Sequence, residues 1–128
     1  MSVTDSQILT TSLLADRFRT YLPVVVDLET GGFNSKTDAI LEAAAVVVAM
    51  DEEGFLYKDQ TYFHRVIPFE GTNIEEAALK FTGIDPYHPL RIAKSEKEVF
   101  QTMFKLIRES MKVSNCKRAI LVGHNAHF

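Results

Sequence analysis

The sequence predicts an α/β fold: a mixed sheet in which an antiparallel three-strand meander is joined by a parallel fourth strand. Three observations predict it. The run Pro23-Val24-Val25-Val26 opens a strand that ends in Asp27-Leu28-Glu29 and a Gly31-Gly32 turn. Two further apolar runs, about Ile40 to Met50 and Thr61 to Pro68, follow across short polar links, as a meander requires. A long helical pattern then precedes a last apolar run, Ala119 to Val122. A crossover of that length lets the last strand lie parallel to the first.

In order, Leu9, Leu13, Leu14 and Phe18 fall at helical spacing, and Pro23 ends that pattern. The β-branched valines of the first strand suit a pleated surface covered on both faces. The second strand carries alanines where a neighbour must approach closely, and Glu42 at its start is read as holding the preceding polar loop. Asp51-Glu52-Glu53-Gly54 is the turn into the third strand. Glu75 to Phe81 is a short helix ended by Gly83, Pro86 and Pro89. Ser95-Glu96-Lys97-Glu98 is a capping box. Behind it Val99, Phe100, Met103, Phe104, Ile107 and Met111 share one helical face, a core stripe and not a cofactor site.

A chain of 128 residues fits one domain, and with 46% hydrophobic residues it can bury a core. No apolar run approaches the ~20 residues of a membrane span, and the N-terminus, with Asp5 and Asp16, has no secretory pattern. A single cysteine, Cys116, excludes an intrachain disulfide and fits a reducing cytoplasm. The net charge of −3 argues against a general nucleic-acid-coating protein, though not against an enzyme with a local basic patch.

The chemistry concentrates at the end of the first strand. Residues two apart on a strand point to one side, roughly 6–7 Å apart, so Asp27 and Glu29 share a face and Leu28 takes the other. Neighbouring carboxylates repel, and oxygen donors suit a hard divalent cation such as magnesium or manganese. Taken alone, an Asp-x-Glu pair is more often a solvated turn.

Three motifs in combination carry a resemblance. Asp27-Leu28-Glu29-Thr30-Gly31-Gly32-Phe33, Phe81-Thr82-Gly83-Ile84-Asp85 and His124-Asn125-Ala126-His127-Phe128 resemble the DEDD-type (DEDDh) 3′→5′ exonucleases, over nearly the whole chain from residue 15. The resemblance implies a ribonuclease H-like exonuclease fold, incomplete at its C-terminus, with residues 1–128 as the N-terminal portion of a single exonuclease domain. It implies hydrolysis of phosphodiesters with two magnesium ions, manganese being an acceptable substitute, which clamp the phosphate and activate a water. Asp27 and Glu29 match the first two of four acids. The third belongs directly after the His124–Phe128 motif, and the fourth acid and a general-base histidine lie further on. None of His64, His88, His124 or His127 is assigned as that base.

The resemblance also implies a grip on RNA 3′ ends, single-stranded DNA being a further candidate. Phe33, Phe81 and Phe128 match positions where the family stacks terminal bases, an interaction worth ~1–3 kcal/mol per base. Phe33, beside the Gly-Gly turn, is read as stacking; for Phe81 and Phe128 stacking and core packing both stay open. The family's base-contacting glutamate falls at Ala77, so Glu76 either replaces it or that contact is missing. Arg17, Arg19, Lys112, Lys117 and Arg118 are the basic concentration. In family homodimers such a patch on one subunit guides RNA into the active site of the other; the bland alternative is a solvated loop. The expected function is an exoribonuclease that trims 3′ ends of tRNA and other stable RNAs. The alternatives are a single-strand DNA or proofreading exonuclease, a non-catalytic nucleic-acid-binding fragment, and a structural α/β domain.

Overall fold

A computed structural model describes residues 13–126. Residues 13–17 are helical, and Leu9 of the expected first helix lies outside the described residues. The chain then forms β1 (Tyr21–Thr30), β2 (Ile40–Met50), β3 (Leu56–Val66), α1 (Glu76–Thr82), β4 (Ala93–Lys94), α2 (Glu96–Val113) and β5 (Arg118–Val122). The sheet order is β4-β3-β2-β1-β5. β1, β2 and β3 make the expected antiparallel meander, and β5 runs parallel to β1. β4 was not anticipated. Its two residues pair parallel with Arg65 and Val66, too short a stretch to leave a periodic signal.

One face of the sheet is the core. Leu22 and Val24 on β1, Ala43, Ala45 and Val47 on β2 and Val66 on β3 are buried there against Val99, Met103 and Ile107 of α2 and Leu14 and Ala15 of the first helix. The alanines of β2 matter because a larger side chain would hold α2 away. Burying a valine such as Val24 contributes about 1.5–3 kcal/mol. α2 starts as its capping box predicts, the Ser95 hydroxyl accepting from Glu98 N at 3.2 Å. Phe104 departs from the expected core stripe: half-exposed, it leans on Phe100 with ring centroids 6.2 Å apart.

The opposite face corrects the expectation of a strand covered on both sides. Val25 points there and is 42% exposed. The register places Val25, Asp27 and Glu29 beside Val46, Ala44 and Glu42 of β2, with Val122 of β5 level with Val25. Of the three valines, Val25 alone points to this face and is exposed, while Val24 and Val26 face the core.

Two boundaries also moved. The helix ahead of β1 ends not at Pro23 but at residues 18–20, where Arg19 and Thr20 both adopt left-handed backbone. Pro23 lies inside β1, one residue before the β2 ladder begins, where its missing N–H is tolerated. β3 starts five residues before the expected Thr61, because Leu56 to Lys58 pair with Val48 to Met50 beyond a register shift. That half of β3 is exposed on both faces and so shows no alternation to read. Arg91 ties the loop after α1 to the sheet, its guanidinium donating to Val66 O at 3.0 Å and Leu41 O at 2.6 Å. Burial lowers the Arg91 pKa, against the pull of Glu42.

Candidate active site

Asp27 and Glu29 reach the same open face at the C-terminal end of β1, opposite Ala44 and Glu42 respectively. The small Ala44 side chain leaves the space in front of Asp27 clear. Just past Glu29 the β1–β2 register shifts, so the pairing that continues at Thr30 is with Ile40. Bulges of this kind recur beside active sites, where they re-aim side chains. β5 arrives from the other side. Val122 stands level with Val25, and a Cβ on Gly123 would sit 3.2 Å from Val26 O. The turn at His124 and Asn125 therefore follows alongside Asp27. His127 and Phe128 lie outside the described residues.

The electrostatics of the acid pair are adverse without a cation. The Glu29 carboxyl is raised above its ordinary value, first by partial burial, then by the charge of Asp27, then by that of Glu42. A divalent ion would relieve that repulsion, and carboxylate oxygens are the donors such an ion prefers. Among the described residues no three His, Cys, Asp or Glu side chains converge to hold a metal. The pair fits a metal as part of a ligand set.

Glu42 is the residue that sequence reasoning misplaced. It does not hold the preceding loop; it stands on the face that carries Asp27 and Glu29, between Glu29 on β1 and Arg65 on β3. The signal was present, since an acid alternating with Leu41 and Ala43 must face away from the core. Only the register shows which acid it meets.

Phe33 and Phe81 are both exposed, at 91% and 88%, so neither is a core residue. Phe33 follows two glycines whose role is close approach and not left-handed backbone, since neither has a positive φ. A Cβ on Gly31 would stand 3.2 Å from Ile74 Cα, and one on Gly32 would overlap the Asp38 carboxylate. Gly31 donates to Ala39 O at 2.8 Å and accepts from Glu75 N at 2.6 Å. Asp38 accepts from Asn34 N (2.9 Å), Asn73 Nδ2 (3.0 Å) and the Thr37 hydroxyl (3.0 Å). The hydrogen bonds from Asn73 and Asn34 hold its pKa below the ordinary value. Glu76, in the first turn of α1, is exposed and paired with Lys80 at 3.6 Å.

The basic residues gather at the other end of β1. Lys117 N and Arg118 N both donate to Thr20 O, which sets them beside the turn that carries Arg19. Lys112 closes the last turn of α2. Tyr21 of β1 stands level with Arg118, and Asp27 lies six residues further along, ~20 Å away at strand rise. Arg17 is already engaged, donating to Gly54 O at 2.8 Å and lying over the Phe18 ring.

A sequence model of the RNase_T exonuclease family matches residues 24–127. Ribonuclease T of Hahella chejuensis is 56% identical over 126 residues, covering 98% of this chain and 58% of its own length. The chain thus spans little more than half of that relative. Among solved structures, product-bound exonuclease I superposes with a TM-score of 0.60 at 18% identity, covering 82% of this chain and 22% of that one. E. coli exonuclease I in complex with a DNA oligonucleotide gives the same score and identity. At that identity the likeness establishes the fold, a ribonuclease H-like exonuclease sheet. Within this fold, with its acid pair at the end of β1 and the motif match across most of its length, the chain belongs to the RNase_T exonuclease family.

Proposed function

We propose that this chain is part of a 3′→5′ exoribonuclease that trims the 3′ ends of tRNA and other stable RNAs. The observation that carries the reading is the placement of Asp27 and Glu29 on one open face at the end of β1, with exposed Phe33 on the loop that follows. In this reading Asp27 and Glu29 hold magnesium, or manganese in its place. The bound ions supply phosphate charge neutralisation and an activated water. Phe33, Phe81 and Phe128 stack the terminal bases, Glu76 contacts a base edge, and Arg19, Lys112, Lys117 and Arg118 hold the RNA backbone, with Arg17 beside them engaged on Gly54 O.

The separation of the basic cluster from the acid pair supports a further element, a homodimer in which one subunit's basic residues serve the other's acids. Within one subunit the two sites stand ~20 Å apart along β1. Among the described residues no helix is long and apolar enough to cross a membrane, and we place the protein in the cytoplasm. Residues 1–128 make up the N-terminal portion of one exonuclease domain.

A single-stranded DNA substrate is the second reading. The exonuclease I structures that share this fold include one with a DNA oligonucleotide, and stacking on phenylalanine does not discriminate between sugars.

The test is hydrolysis, in magnesium, of a 5′-labelled RNA stem with a short 3′ overhang by protein of the relative's full length. Stepwise shortening from the 3′ end, abolished by Asp27→Asn, is expected. Internal cleavage, or trimming that survives Asp27→Asn, would defeat the reading. The same stem with a DNA overhang separates the two substrates. The 128-residue chain alone should trim neither at a useful rate, because the family resemblance assigns two acids and the general base to positions after Phe128, and the base alone supplies ~10²–10⁴-fold.

A further inference from the structure

We infer that Asp38 is a positioning residue for terminal-base recognition, the node that fixes the aromatic faces of Phe33 and Phe81 relative to each other. This rests on the stacking role proposed above for those two rings. Neither ring is held by its surroundings, since both are almost fully exposed. Their placement must therefore come from the backbone that carries them. Phe33 is followed by Asn34, whose N–H donates to one Asp38 oxygen. The other oxygen accepts from Asn73 Nδ2, and the same amide group donates to Glu75 Oε1 at 2.7 Å. Glu75 is the N-cap residue of α1, the helix that ends with Phe81 and Thr82.

One carboxylate thus bridges two segments far apart in sequence, each leading to one ring. Main-chain bonds brace the same junction. Ala39 N donates to Asn73 O at 2.9 Å, and Asn73 N donates to Thr37 O at 2.8 Å. The absent side chain of Gly32 lets the carboxylate sit against the loop. A residue at position 38 without a side-chain oxygen would leave Asn34 N without its acceptor and free Asn73 from the Phe33 side. The Phe33 turn and the α1 N-cap would then be joined by main-chain bonds alone, Glu75 N to Gly31 O among them, and a base stacked on both rings would lose part of its fixed slot. Recognition that depends on preorganised aromatic faces weakens when ordering must occur on binding.

The experiment measures binding of a short 5′-labelled single-stranded oligonucleotide to the 128-residue chain by anisotropy, without divalent metal. Two ligands are compared, one with ordinary 3′-terminal nucleotides and one whose last two positions are abasic. Phe33→Ala should remove about 5-fold or more of the preference for the base-bearing end, given the usual strength of stacking. Asp38→Ala should reduce that preference by a similar factor. Its affinity for the abasic end and its salt dependence should hold within about 2-fold. In the Phe33→Ala, Asp38→Ala double variant the losses should not add, because Asp38 acts through the ring. Asp38→Asn keeps one carbonyl acceptor and should recover part of the preference.

Asp38→Ala that keeps the wild-type preference, or that weakens both ligands alike, overturns the proposal while leaving stacking intact. Fully additive losses in the double variant also overturn it. Phe33→Ala with an unchanged preference overturns the stacking reading, and the proposal falls with it. If Asp38→Ala does not fold, Asn73→Ala cuts the bridge without altering the carboxylate. A cooperatively melting Asn73→Ala with wild-type preference overturns the proposal equally.

Discussion

Glu29 of β1 stands directly opposite Glu42 of β2, on the face of the sheet that also carries Asp27. Partial burial and the charges of Asp27 and Glu42 together disfavour an ionised Glu29 on that face. The consequence is a pH dependence of defined sign. The Glu29 pKa is raised in the folded chain, so its protonated form favours folding. That contribution is fully present below the ordinary value of 4.5 and disappears as pH rises through the folded value. In chelator at pH 7, Glu29→Gln should therefore melt above the wild type, and the gain should shrink as pH falls below ~4.5. Identical melting at neutral and acid pH would dismiss the repulsion.

Metal binding should follow the same pair. Manganese titrated into the 128-residue chain, followed by calorimetry or water relaxation, should bind weakly, because two carboxylates are an incomplete ligand set. The Asp27→Asn, Glu29→Gln double variant should abolish that binding. Undiminished affinity in the double variant would place the metal elsewhere.

Charge and stacking should separate by salt. Each phosphate contact releases counterions, so neutralising Arg19, Lys117 or Arg118 should weaken nucleic-acid binding and flatten its salt dependence. Phe33→Ala should weaken binding with little change of slope. Arg17 should behave differently from its basic neighbours. It already donates to Gly54 O, so Arg17→Gln should lower the melting temperature more than it changes the salt slope. Charge-neutralised variants with wild-type affinity and slope would mark the cluster as solvated surface.

Tyr62 offers a test of the core. It lies opposite Ala45 on the core side of β3, and its buried hydroxyl has no hydrogen-bond partner among the described residues. An unsatisfied buried hydroxyl costs about 1–3 kcal/mol. Tyr62→Phe should thus raise the denaturant midpoint without changing the slope of the transition. A clear loss of stability would reveal a partner for that oxygen.

The sequence by itself determined what depends on local geometry. The period of 2 placed Asp27 and Glu29 on one side of β1, and the apolar run from Ile40 to Met50 marked the observed bounds of β2. The Ser95 capping box set the start of α2, and the length of the crossover made β5 parallel to β1. What lay beyond reach depends on which strand meets which, and in what register. Nothing near Glu42 in the chain reports that Glu29 lies across from it. Likewise nothing near Gly32 reports that the Asp38 carboxylate fills the space a Cβ would need. The exposure of Val25 was hidden for a related reason: β-branched composition reports a fit to the pleat, while burial is decided by whatever lies above it. Cross-strand hydrogen bonds join residues far apart in sequence, so register and cover belong to the tertiary structure, and they set the acid pair and the Lys117–Arg118 basic pair at opposite ends of β1.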